Sequence, residues 1–116
     1  MSIVRRHAGP RMAQAVEHGS TIYLAGQVAE DKQAGVGRQT EQVLAAIDRL
    51  LAECGSSKAA ILSTTVYLAD IADFAEMNAA WERWVDRGNP PARATVEARL
   101  VAPEYRVEIA VIAAKS

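Results

Sequence analysis

Apolar positions recur with two different periods along this 116-residue chain, and the two periods divide it into helices and strands. Val43, Leu44, Ile47, Leu50 and Leu51 follow the spacing of one helical face, while Glu41, Asp48, Arg49 and Glu53 fall mostly on the other. That spacing predicts a helix from about Arg38 to Cys54, with Gly55 as its stop. Phe74, Met77, Trp81, Trp84 and Val85 share the face of a second helix. It opens near Asp73, with Glu76 three residues on as a capping-box partner. Gly88-Asn89-Pro90-Pro91 ends it, since neither proline can continue a helix.

Between the helices the pattern is that of strands. Ser2–His7 and Met12–Glu17 carry modest strand signals separated by Gly9-Pro10, and His18-Gly19-Ser20 reads as a hairpin turn into Thr21–Ala25. Gly26-Gln27 interrupts that strand, and a glycine there signals a bulge or a close approach of the backbone to another group. Glu30–Gly37 is a polar loop. Ala60–Leu68 is dense in β-branched residues and reads as a buried strand, and Arg93–Leu100 and Arg106–Ala114 are the last two.

The order β-β-β-α-β-α-β-β predicts an α+β fold, with two helices on one face of a mixed six-stranded sheet, and residues 1–116 form a single domain. Two helices cover only one sheet face. Yet the last strand is apolar on both alternations, with Val107, Ile109, Val111 and Ala113 on one side and Ala110 and Ile112 on the other. The uncovered face is therefore expected to meet other copies of the chain in an obligate oligomer.

Composition removes several classes of function. Half of the residues are hydrophobic and 23% are charged, with a formal net charge of −1, so nothing favours nucleic acid or an anionic membrane as a partner. Cys54 is the only cysteine, and no Cys/His spacing for a metal site is present. No segment approaches the ~20 apolar residues of a membrane span, so a cytoplasmic location is expected.

Two residues stand out chemically. Arg93 falls at the mouth of a strand, just after Pro90-Pro91 and among small neighbours, where a guanidinium can grip a carboxylate with two hydrogen bonds. Glu108 interrupts an apolar strand and shares a face with Ala110, Ile112 and Ala114. A half-buried carboxylate there is a candidate general base. The plainer alternatives are a solvated arginine and an edge-facing glutamate. Cys54, Trp81 and Trp84 read as packing residues, Asn78 as a surface amide or a tie to a neighbouring loop, and neither His7 nor His18 has a partner spacing for catalysis.

With those residues in place, the chain resembles the reactive intermediate deaminase family, the RidA or YjgF-like proteins. The resemblance rests on Gln14-Ala15-Val16, Ala25-Gly26-Gln27, Asp73–Asn78 leading to Trp81 and, most specifically, Pro91–Glu97 followed by Val107-Glu108-Ile109. It implies a chorismate-mutase-like fold, a homotrimer with a central barrel, and active clefts between subunits. It further implies hydrolysis of 2-imino or 2-enamino acids to 2-oxo acids and ammonia, with no metal or organic cofactor. Arg93 would hold the substrate carboxylate and Glu108 would activate water, with Thr95, Gly26, Met12 and Asn78 lining the pocket. Met12, Ala25 and Thr95 replace the tyrosine, serine and cysteine usual in the family. The alternative is a non-catalytic trimeric module that binds a small carboxylate.

Overall fold

The first helix begins two residues earlier than its apolar spacing implies. In the computed structural model, which describes all 116 residues, α1 spans Val36–Glu53, with Gly35 at its N-terminus and Cys54 at its C-cap. Gly55 follows at φ 74°, a left-handed conformation that lets Ser56 N–H reach back to Leu51 C=O at 2.8 Å. Val43, Leu44, Ile47 and Leu51 are buried, as their spacing predicts.

The sheet has seven strands rather than six. They are β1 (Ile3–Arg6), β2 (Ala15–His18), β3 (Thr21–Leu24), β4 (Gln27–Val28), β5 (Ile61–Leu68), β6 (Ala92–Glu97) and β7 (Val107–Ala114), in the spatial order β1-β2-β3-β7-β5-β6, with β4 also paired to β7. The additional strand, β4, is too short to show alternation in sequence. It exists because β7 offers it Ile109 and Glu108 as pairing partners. Strand β2 starts at Ala15 rather than Met12, and β6 stops at Glu97 rather than Leu100. The β5–β6 pair is parallel and the others antiparallel, so the sheet is mixed.

Helix α2 (Phe74–Trp84) supplies the crossover between the parallel strands. The capping box expected at its start does not form. Asp73 instead pairs with Arg106 at 2.6 Å, and Glu76 accepts a bond from Gly37 N–H. Asp70 caps the preceding 3-10 turn by accepting from Ala72 N–H. Phe74, expected on the buried face of α2, is exposed, because it sits at the helix entry beyond Met77 and Trp81, which are buried.

Helices α1 and α2 pack on each other, and α1 packs on β4 and β7. Val107, Ile109, Val111 and Ala113 point into this layer and are buried. The opposite sheet face has no helix over it. Tyr23, Val96 and Ile112 are exposed there, and the molecule is a slab 42 × 37 × 20 Å. No helix is long and apolar enough to cross a membrane.

Candidate functional site

Arg93 is half-buried and held from three sides. Its position on β6 is opposite Thr64 on β5, and Thr64 is buried beneath the helices, so Arg93 leaves the sheet on the helical side. Its Nη1 donates to Asn78 Oδ1 at 2.7 Å, and its guanidinium lies 5.2 Å from the Trp81 ring centroid and 5.7 Å from that of Phe74. The Asn78 amide is itself fixed, since its Nδ2 donates to Glu82 Oε1 at 3.3 Å, one helical turn on. Desolvation pushes the Arg93 guanidinium below its ordinary range, and the Glu82 charge partly opposes this. Arg93 takes part in none of the ion pairs of the chain. A desolvated, immobilised cation with no carboxylate in ion-pair contact is set up to bind an anion.

Two hydroxyls near Arg93 are also unsatisfied. Thr64 Oγ1 and Thr95 Oγ1 are enclosed and without a hydrogen-bond partner. Thr64 is the register partner of Arg93, and Thr95 follows two residues along the same strand face. Each such group costs about 1–3 kcal/mol unless something completes it.

Glu108 is half-buried on β7, opposite Tyr67 of β5 and Val28 of β4. Its side chain lies directly against Gly26. A Cβ placed on Gly26 would overlap Glu108 Oε2, so only glycine permits this approach. The close contact signalled by a glycine within an apolar strand is thus with the candidate base. Glu108 also belongs to no ion pair.

One chain does not bring Arg93 and Glu108 together. Arg93 shares its face with Thr64 and Val111, three residues from the Tyr67–Glu108 pair on the neighbouring strands, and three is an odd step. The two side chains therefore leave opposite faces of the sheet. Thr95 and Asn78 belong with Arg93, and Gly26 belongs with Glu108. Met12 is exposed in the segment before β2 and makes no side-chain hydrogen bond to either set. The principal hollows of a single chain are lined by neither Arg93 nor Glu108.

Sequence reading missed Phe74, Trp81, Thr64 and Glu82 as parts of the Arg93 setting. Trp81, a packing residue by its spacing, is buried and also offers a ring face to the guanidinium. Nothing in the spacing of Thr64 ties it to Arg93; only the parallel register does. Cys54 is buried, and burial foremost pushes its thiol up, as fits a packing residue.

The family model described as endoribonuclease L-PSP matches residues 5–115. A RutC family protein from Haemophilus influenzae is 45% identical over 97% of this chain and 98% of its own length. The RutC family protein YoaB from Escherichia coli is 46% identical over 98% of this chain and 99% of its own. The crystal structure of a YjgF-family protein from Neisseria meningitidis superposes with a TM-score of 0.97 at 49% identity, covering 100% of this chain and 97% of that one.

Proposed function

The chain belongs to the endoribonuclease L-PSP family, which includes the YjgF and RutC proteins, and on that premise we propose that it hydrolyses 2-imino acids, or their 2-enamino tautomers, to 2-oxo acids and ammonia. The reaction takes place in clefts between copies assembled as a homotrimer through the uncovered sheet face. The observation that carries this reading is the state of Arg93: desolvated, clamped by Asn78 and Trp81, and free of any carboxylate of its own.

The substrate is an anion with an electrophilic C=N carbon. Arg93 takes its carboxylate through two N–H donors, and the Thr95 hydroxyl, which has no partner in the chain, completes the polar contacts. Glu108 accepts a proton from a water molecule as the water oxygen bonds to the imine carbon. The nitrogen gains protons and the C–N bond breaks. Ammonia leaves and the carbon–oxygen double bond of the 2-oxo acid forms. Substrate and water balance product and ammonia, so no electron changes hands. Much of the acceleration comes from holding the reactants in line.

The positions of Arg93 and Glu108 on opposite faces fit a cleft to which one copy brings the arginine and another the glutamate. The exposed Tyr23, Val96 and Ile112 give such an assembly an apolar surface to bury. To test the reading, the protein is mixed with an amino acid oxidase and its substrate in the presence of semicarbazide. The expected outcome is slower semicarbazone formation, because the imine is hydrolysed before it is trapped. Trapping that proceeds at the same rate with and without the protein ends the proposal.

A further inference from the structure

One buried amide ties together the two backbone segments that set the Gly26–Glu108 contact. Gln39, on the first turns of α1, is fully buried. Its Nε2 donates to Ala34 C=O at 2.9 Å, Lys32 C=O at 3.3 Å and Glu104 C=O at 3.0 Å, and its Oε1 accepts from Arg106 N–H at 2.9 Å. Lys32 and Ala34 lie in the loop leaving β4, and Glu104 and Arg106 lie at the entry to β7. Those two strands pair as Gln27–Ile109 and Val28–Glu108. Arg106 then continues the connection with its side chain, donating from Nη2 to Asp73 Oδ2 at 2.6 Å at the start of α2. Asn78, which holds Arg93, lies five residues beyond Asp73 on the same helix.

The surroundings of Gln39 and Arg106 are those of a fixed joint. A fully buried amide with both ends bonded has one orientation, and losing it would orphan several backbone groups at once. Arg106 contacts neither Glu108 nor Arg93 in any ion pair, yet it is covalently two residues from the first and acts through Asp73 on the helix that holds the second.

We propose that Gln39, Arg106 and Asp73 form a bracket that holds Glu108 and the helix carrying the Arg93 anchor in one rigid frame, so that each is presented in a fixed pose to the cleft it lines, which makes Arg106 a positioning residue for the reaction proposed above. The inference rests on that reading. In a reaction governed by alignment, a displacement of about 1 Å is worth up to 100-fold in rate, so the bracket needs to move its ends only slightly to matter.

The test measures kcat and KM in the imine-trapping assay for the intact wild-type protein and for Asp73→Asn, Arg106→Met and Arg106→Lys, with the melting temperature and oligomeric state of each. Arg106→Met is expected to lower kcat/KM about tenfold or more, beyond any loss of folded protein, because small misalignments act on the rate. Asp73→Asn is expected to act mainly on KM, since it loosens the helix that holds the carboxylate anchor. Arg106→Lys retains the charge at Asp73 and is expected to recover part of the loss. A Gln39→Met variant that folds is expected to lower kcat with KM nearly unchanged, because it loosens the Glu108 end. An active wild type whose Arg106→Met and Asp73→Asn variants keep wild-type kcat and KM per folded molecule overturns the bracket alone. A wild type that does not slow imine trapping removes the parent reading and the bracket with it.

Discussion

Arg93 and Glu108 leave the sheet on opposite faces of the same chain. Both are half-buried, and neither is paired with an opposite charge. If both act on one substrate molecule, the arginine of one copy meets the glutamate of another. Arg93→Ala and Glu108→Gln should each be inactive alone, yet activity should return when the two variants are co-refolded. With random mixing in a closed symmetric assembly, about one quarter of the clefts would receive both native residues. The trapping assay on the mixture reads the result, and a mixture as inactive as its parents would place the two residues in separate roles.

The Gly26–Glu108 contact predicts the effect of adding one carbon. In Gly26→Ala, the new Cβ collides with the Glu108 carboxylate, the far end of a half-buried side chain, which must swing aside, so the cost should fall below the figure for overpacking a closed core, about 1–3 kcal/mol. The double variant Gly26→Ala/Glu108→Ala removes the obstacle and should be more stable than the sum of the single changes. Chemical denaturation of the four proteins gives the coupling, and a coupling near zero would show that the chain relaxes around the added methyl.

The Arg93 anchor should be sensitive to a single oxygen. Asn78→Asp replaces the amide that accepts at 2.7 Å with a carboxylate, which would pair with the guanidinium inside the chain. The expected result is a rise in KM of about tenfold or more with the protein still folded, since one charge-assisted pair exceeds the 1.4 kcal/mol that a factor of ten requires. Asn78→Ala should raise KM less, because it loosens Arg93 without occupying it. An unchanged KM in Asn78→Asp would mean that Arg93 does not hold the substrate.

Stability against acid should depend on Glu17. This buried carboxylate of β2 accepts from Lys115 at 2.8 Å and from Arg6, and these bonds, Lys115 foremost, hold it below the usual carboxylate range against the opposing effect of burial. A carboxylate whose folded value is depressed stabilises the protein fully above its unfolded value, near pH 4.3, and loses that contribution as pH falls through the folded value. The melting temperature of the wild type should therefore drop steeply below about pH 4. Glu17→Gln should be less stable at neutral pH and should show a shallower acid slope. Parallel slopes for the two proteins would count against this origin.

The main elements could be read from the chain because their physics is local. The run from Val43 to Leu51 buries one helical face whatever surrounds it, and the β-branched density of Ile61–Leu68 suits a central strand, of which Ile61, Thr64, Val66 and Leu68 are buried. Arg93 and Glu108 were visible for the same reason: each is a charge at a position where the local pattern calls for something small or apolar. The resemblance carried by Pro91–Glu97 and Val107–Ile109 pointed to the family to which the chain belongs.

What the tertiary structure decided is what depends on register. Strand β4 needs β7 beside it, and the expected capping box at Asp73 gave way to an ion pair with a residue 33 positions away. Whether Glu108 faces Gly26, whether Thr64 sits beside Arg93, and on which side of the sheet each charge emerges all follow from strand pairing, where a shift of one residue would reverse every face. Local propensity names the residues with chemistry, but the direction in which each points is a long-range property, settled only when distant segments hydrogen-bond to one another.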